Sequence, residues 1–405
     1  MFETHHAPSK SPAPASPTRW LDRATVDFLA AAVRDDPRFD ASVVLDAGAD
    51  GAVTIGIHHG RLAIRPGVSK DADTVIRADA ATFRSMFAGE TSGIGAFLEG
   101  HLTVRKNLAL AFHLDTLLDR PGRDVRFPRE AVVDVDGVRT SYLEAGQGTP
   151  VVLLHGLGAT NASMLPLLWE LAKDHRVLAP DLPGFGASDK PVRAYHAAFY
   201  ARWLRGFLDA TGIERAHLVG NSMGGRIAIE LDLRHPERAN RLVLLAPSPA
   251  WKRFRQAVPV VRVLVPELAA LPLRIPRSRV EGTLRWMFSK PSRLPSAWFD
   301  AAVDEFLRVF RTTRGRIAFL SAARQIYLER PHGERGFWDR LTGLEAPTLF
   351  VWGDRDPLVP ASFAAHVARA IPHVTSVTFE DCGHVPQFEF PEKTGRLVRD
   401  FLSGV

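Results

Sequence analysis

From residue 132 onward, short β-branched apolar runs alternate with stretches in which apolar residues recur every three or four positions. A short continuous apolar run suits a strand covered on both faces, and the wider recurrence gives a helix one apolar stripe. Their alternation predicts a mainly parallel sheet wrapped in helices. The strands fall at 151–154, 176–179, 217–219, 242–245, 348–352 and 376–380. Ahead of them, 132–135 and 139–143 flank Asp136-Gly137, a two-residue turn signal that predicts an antiparallel hairpin.

Two regions depart from this alternation. Between 246 and 347 helical periodicity takes over in a stretch rich in Arg, Trp and Phe, which predicts an inserted module at about 248–343. Phe299, Val303, Phe306 and Phe310 recur at helical steps, and Ile317, Leu320 and Arg324 do so less regularly. Ordinary core packing accounts for such faces, and a helical insert above a sheet also roofs a pocket. Residues 19–120 read as a smaller α+β domain, with helices at 20–33 and 107–118 and strands at 42–45, 53–57 and 74–78. The helix-covered sheet then occupies 121–405, and residues 1–18, rich in Pro, Ser and Ala, predict a disordered tail.

Composition adds bounds rather than a function. The chain has 405 residues, 46% hydrophobic and 24% charged, enough for two cores, and a net charge of +6 does not mark a nucleic-acid binder. One cysteine, Cys382, excludes an internal disulfide and agrees with a cytoplasmic location; a small buried thiol is expected. The N-terminus lacks the apolar stretch of a secretory signal, and 258–275 is broken by Arg262, Glu267, Arg274 and prolines, so no membrane span is expected. Between 250 and 343 there are 18 Lys and Arg against 8 Asp and Glu. Solvated arginines explain that excess; a sharper expectation is peripheral contact of Trp251, Arg253, Phe254 and Arg255 with an anionic membrane. The adjacent pairs His5-His6 and His58-His59 cannot turn both rings to one metal on a regular strand, and no Walker loop or zinc spacing occurs, so neither metal nor cofactor is expected.

Chemistry concentrates in Gly220-Asn221-Ser222-Met223-Gly224, which fits G-x-S-x-G and sits between a predicted strand and a predicted helix. That setting forces a serine into a tight elbow between small neighbours, with its hydroxyl above the sheet. A serine hydroxyl needs a base and an acid, in the chain order Ser, Asp or Glu, His. Asp356, in Trp352-Gly353-Asp354-Arg355-Asp356-Pro357, and His384, in Asp381-Cys382-Gly383-His384, both follow predicted strands and so fall on one sheet edge. The predicted triad is Ser222, Asp356 and His384, with Asp354 read as a loop cap. An oxyanion also needs donors. His155-Gly156-Leu157-Gly158 follows another strand, and the N–H groups of Leu157 and Met223 take that role; His155 orients the loop.

These residues resemble the α/β-hydrolase family from about residue 132 to the C-terminus. Asp181-Leu182-Pro183-Gly184-Phe185-Gly186-Ala187-Ser188 resembles the family's turn after its fourth strand, a structural run. The resemblance selects Asp356 over Asp354 and implies that the insert is a mobile helical cap. The first domain resembles the SCP-2 sterol-carrier family through 73–79, 83–90, 96–104 and 108–118, which implies a lipid-binding tunnel.

The leading expectation is a serine hydrolase of carboxylic esters with hydrophobic, lipid-like parts, acting through an acyl-enzyme. An alternative is carbon–carbon bond hydrolysis of meta-cleavage-type products, whose elbow Gly220-Asn221-Ser222-Met223-Gly224-Gly225 also resembles. A third, of another class, is a non-catalytic lipid-binding or transfer protein built on a hydrolase scaffold.

Overall fold

The computed structural model describes residues 20–35, 40–117, 124–249, 258–263, 274–371 and 374–404. The expected tail, His5-His6 and the membrane-contact residues at 251–255 lie outside them, as does most of 258–275. No helix among the described residues is long and apolar enough to cross a membrane.

The N-terminal domain is a five-stranded sheet of order β3-β2-β1-β4-β5, with β1 Ala41–Asp46, β2 Ala52–His58, β3 Arg61–Pro66, β4 Thr74–Ala78 and β5 Leu102–Arg105. Only the β1–β4 pair is parallel. Helices Arg23–Asp35, Ala80–Ala88, Gly93–Leu98 and Leu108–Leu117 accompany the sheet. Asp79 caps the second of these by accepting Thr82 N–H, and Ser92 caps the third by accepting Gly95 N–H. Phe83, Phe97 and Phe112 fill the interior, leaving a cavity of about 20 Å³, the room of roughly one water.

The second sheet has eight strands in the order β13-β12-β11-β10-β8-β9-β7-β6. They are β6 Arg129–Val135, β7 Val138–Ala145, β8 Pro150–Leu154, β9 Arg176–Pro180, β10 Ala216–Asn221, β11 Ala239–Leu245, β12 Thr348–Gly353 and β13 Thr375–Phe379. The expected hairpin opens it: Val135 faces Val138, and Asp136 and Gly137 adopt φ 52° and 78°, the double positive φ of a twist-matched two-residue turn. From β8 the strands run parallel to one another, and β8, β10, β11 and β12 are almost wholly buried. The chain leaves β8 for β9 on one side and returns to β10 on the other, so strand order reverses at the end of β8. A crevice opens at such a reversal, outside the C-terminal ends of the strands.

Between β11 and β12 lies the inserted module, with helices Val258–Val263, Arg277–Trp286, Ser296–Phe310, Thr313–Leu328 and Phe337–Arg340. Phe299, Val303 and Phe310 are buried on one face of Ser296–Phe310, as their spacing requires. Phe337, Trp338 and Leu341, inside the expected insert, instead join the core beside Phe350 and Trp352.

Candidate active site

Strand register places the candidate residues on one rim. Gly220 pairs with Leu154, Asn221 with Leu245, Leu245 with Val351, and Gly353 with Phe379, so the loops after β8, β10, β11, β12 and β13 emerge side by side. Ser222 follows β10 at φ 53°, ψ −113° and precedes the helix Met223–Asp232. A non-glycine residue held there is strained, and tight neighbours must hold it. A Cβ at Gly224 would overlap the Leu154 carbonyl, and one at Gly220 would overlap the backbone of Gly224 and Gly225. Glycine is therefore required at both flanks of the turn. Ser222 N–H donates to Leu245 O (2.9 Å), and Ser222 O accepts from Ser248 N–H (2.9 Å) and Arg226 N–H (3.1 Å).

Asp356 and His384 meet: His384 Nδ1 lies 2.7 Å from Asp356 Oδ2, and both residues are buried. The other carboxylate oxygen accepts N–H groups of Leu358 (2.8 Å) and Val359 (2.9 Å). The carboxylate is thus fixed at both oxygens. The loops that carry the pair brace each other: Arg355 N–H donates to Cys382 O (2.9 Å), and Asp354 Oδ1 accepts Cys382 N–H (3.1 Å), the loop-capping role read for Asp354. Asn221, immediately before Ser222, donates from Nδ2 to both His384 O and Leu245 O at 3.1 Å. One amide therefore ties the elbow to the histidine loop.

On the other side, a Cβ at Gly156 would stand 3.4 Å from Ser222 Cβ, so the His155–Gly158 bend abuts the elbow. His155 is a strut. Leu182 N–H donates to its Nε2 (3.0 Å), which leaves the proton on Nδ1 to donate to Gly156 O (2.8 Å). Burial holds its pKa down to about 4 against the help of that carbonyl, so the ring stays neutral. Asp181 anchors the same corner, accepting N–H groups of Asn161 (2.8 Å) and Ala187 (2.7 Å), and burial lifts its pKa to about 6. The structural reading of 181–188 holds.

Cap aromatics lie over this bend. Phe306, Phe310 and Phe319 form a cluster with centroids 5.4–5.7 Å apart, and a Cβ at Gly158 would come within 2.9 Å of Phe319 and 3.2 Å of Phe306. The cap is stapled to the histidine loop: Met287 O accepts His384 N–H (2.8 Å), and Ser289, Lys290 and Arg293 converge on Asp381. Glu389 accepts both Gly383 N–H (2.6 Å) and Ser289 N–H (2.9 Å). Asn221, Asp381 and Glu389 carried no signal in the sequence, because Asn221 bonds the distant backbone of His384, Asp381 binds distant cap side chains, and Glu389 reaches the distant Ser289 N–H. Cys382 is fully buried, and burial raises its thiol pKa, so it is inert as expected. Among the described residues no group of three metal-ligating side chains occurs.

A parallel sheet with a strained serine elbow and a buried His–Asp pair at one rim defines an α/β-fold hydrolase, and comparison with known proteins agrees. The model of the alpha/beta hydrolase fold matches residues 149–391, and that of the SCP-2 sterol transfer family matches 41–119. The chain belongs to the α/β-hydrolase family, and its N-terminal domain resembles the SCP-2 sterol transfer family. It is 32% identical over 281 residues to 2-hydroxymuconate semialdehyde hydrolase of Pseudomonas sp. (strain CF600), covering 66% of this chain and 91% of that one. To 2-hydroxy-6-oxo-6-phenylhexa-2,4-dienoate hydrolase of Burkholderia cepacia it is 32% identical over 276 residues, 64% of this chain and 90% of the other. Among solved structures, a membrane phospholipase A described as a bacterial virulence factor superposes with TM-score 0.57 at 32% identity, covering 68% of this chain and 86% of that one. A meta-cleavage product hydrolase from Pseudomonas fluorescens IP01 does so with TM-score 0.56 at 27% identity, covering 68% and 97%.

Proposed function

We propose that this hydrolase cleaves carboxylic esters with a hydrophobic acyl or alcohol part through an acyl-Ser222 intermediate. The observation that carries the reading is the His384–Asp356 pair, 2.7 Å apart and buried, braced by Asn221 to the elbow that bears Ser222. In the proposed sequence, Ser222 Oγ attacks the ester carbonyl carbon while its proton passes to Nε2 of His384. Asp356 holds the other ring proton on Nδ1 and stabilises the imidazolium. The N–H groups of Leu157 and Met223 receive the developing oxyanion, which is worth about 2.7–4 kcal/mol per donor in comparable sites. Collapse expels the alcohol, which takes its proton from His384, and water repeats the cycle on the acyl group. The aromatic cluster over Gly158 supports an apolar substrate.

A second reading is carbon–carbon hydrolysis of a substrate carrying a carboxylate. Two observations favour it. The curated relatives described above are named for such reactions. In addition, Arg226 lines a cavity beside Met223, and its Nε is buried without a hydrogen-bond partner among the described residues, while its terminal nitrogens bind Glu230 (2.9 Å) and Glu329 (3.0 Å). Turnover of p-nitrophenyl esters from acetate to decanoate, set beside bleaching of a vinylogous 1,5-diketone acid, decides between them. The ester reading expects faster turnover of longer esters and none with Ser222→Ala. Bleaching at rates far above ester turnover replaces it with the second reading.

The basic insert supports a further proposal, peripheral binding to anionic membranes. Vesicles containing anionic lipid should retain the protein at low salt and release it at high salt. Retention independent of lipid charge refutes it.

A further inference from the structure

We infer that the N-terminal domain is a clamp that positions the cap helix Ser296–Phe310 over the hydrolytic site, with Arg105 and Trp298 as its positioning residues. This rests on the reading of Ser222 as the reacting residue. The helix has two functional ends. Its C-terminal end carries Phe306 and Phe310, which cover the Gly158 bend next to Ser222. Its N-terminal end is held by the other domain.

Two kinds of contact make that grip. Trp298 Nε1 donates to Phe97 O (3.1 Å), its ring stacks on Phe97 with centroids 6.4 Å apart, and it meets Phe388 edge-on at 5.4 Å. Phe388 lies in Pro386–Glu389, the helix that follows His384. Trp298 is thus wedged between the N-terminal domain and the histidine segment. Further along the same helix, Asp304 accepts Arg105 Nε (2.8 Å) and Lys106 N–H (2.9 Å) on one oxygen, while Arg277 of the cap takes the other. Burial would raise the Asp304 pKa, but the bonds from Arg105, Lys106 and Arg277 outweigh it and hold the pKa below the usual carboxylate value. The bridge therefore stays ionised at neutral pH.

A clamp needs a fixed jaw as well as a grip. Helix Gly93–Leu98, which carries Phe97, also rests on the hydrolase core: a Cβ at Gly95 would come within 2.9 Å of the Trp169 ring. Residues of both domains and Ala301 of the cap share one continuous apolar cluster. The N-terminal domain thereby spans the non-moving core and the cap, which shortens the cap's range of motion. The jaw has a packed apolar core, in which Phe83, Phe97 and Phe112 are buried. Sequence spacing gave no hint of this bridge, since its partners are about 200 positions apart.

The test compares Arg105→Glu with Arg105→Lys in the full chain, using p-nitrophenyl decanoate and acetate. Arg105→Glu places a like charge against Asp304 and should raise KM for decanoate on the order of tenfold, the loss of one charge-assisted hydrogen bond. The acetate rate and fluorophosphonate labelling of Ser222 should stay at wild-type levels, since the reacting groups are untouched. Amide exchange across 296–310 should quicken. Arg105→Lys should restore most of the decanoate KM. If Arg105→Glu is poorly folded, Trp298→Phe, which keeps the ring stack and loses the Nε1 bond, should show the same substrate split in milder form. An unchanged decanoate-to-acetate ratio with unchanged exchange overturns the clamp, whereas activity surviving Ser222→Ala overturns the site reading beneath it.

Discussion

Asp356→Asn is the sharpest perturbation of the proposed machinery because the surrounding backbone dictates how the amide must sit. Oδ1 of Asp356 accepts two N–H groups, from Leu358 and Val359, and Oδ2 faces His384 Nδ1 at 2.7 Å. An asparagine that keeps its oxygen toward the two N–H groups turns its NH₂ toward the ring, so Nδ1 must accept and the proton moves to Nε2. The reverse flip sets NH₂ against two donors and leaves both unsatisfied, at about 1–3 kcal/mol each. The first arrangement therefore wins, and His384 presents N–H to Ser222 where a base is needed. A wrong tautomer in an intact triad costs about 10⁴ in kcat, or about 5 kcal/mol of barrier. The assay is steady-state hydrolysis of p-nitrophenyl esters near neutral pH, with thermal unfolding followed in parallel. The variant should melt close to wild type and turn over about 10⁴ more slowly. A loss under tenfold, or an equal loss in Asp354→Asn, refutes the assignment.

Other predictions follow from the same geometry. His155 should contribute a pH-dependent stability: its folded pKa of about 4 lies below the ordinary 6.5, so unfolding becomes easier as pH falls from 6.5 toward 4, by up to ~3 kcal/mol. His155→Gln should flatten that slope in urea titrations at several pH values; an unchanged difference curve refutes it. Asp181, raised to about 6 from 3.8, acts with the opposite sign, its contribution being lost as pH rises through 6, so the comparison must be between variants rather than of the raw curve. Gly224→Ala should abolish turnover and lower the melting temperature, because its methyl would overlap the Leu154 carbonyl; a fully active variant contradicts the packing. Iodoacetamide should modify Cys382 only as the chain unfolds, and rapid labelling of the native protein contradicts its burial.

Much of the architecture was legible in the chain, for a physical reason. Strands β8 and β10 to β12 are covered on both faces, so they read as apolar runs, and the structure places them within a residue or two of expectation, β11 apart, which begins earlier, at Ala239. The Asp136-Gly137 turn announced its own hairpin. Strands β3 and β5 were missed: Arg61–Pro66 is an exposed edge strand with charged residues, and Leu102–Arg105 has only four residues. Helices Ala80–Ala88 and Gly93–Leu98 escaped periodicity because each spans under three turns. At the site, strand–turn–helix context and residue order pointed to Ser222, Asp356 and His384, the residues proposed as the triad, of which His384 and Asp356 lie in contact. The braces at Asn221, Asp381 and Glu389 were invisible because a bond to a residue far along the chain, whether to its backbone or to its side chain, imposes no local pattern.

The central claim is that Ser222 becomes covalently acylated during turnover. Rapid acid quench of the protein with a p-nitrophenyl ester, followed by trypsin and mass spectrometry, reads it directly. The peptide from Ala216 to Arg226 should gain the mass of the acyl group, with fragments placing it on Ser222, and should gain nothing in Ser222→Ala. Acyl mass on another residue, or undiminished turnover by Ser222→Ala, contradicts the account.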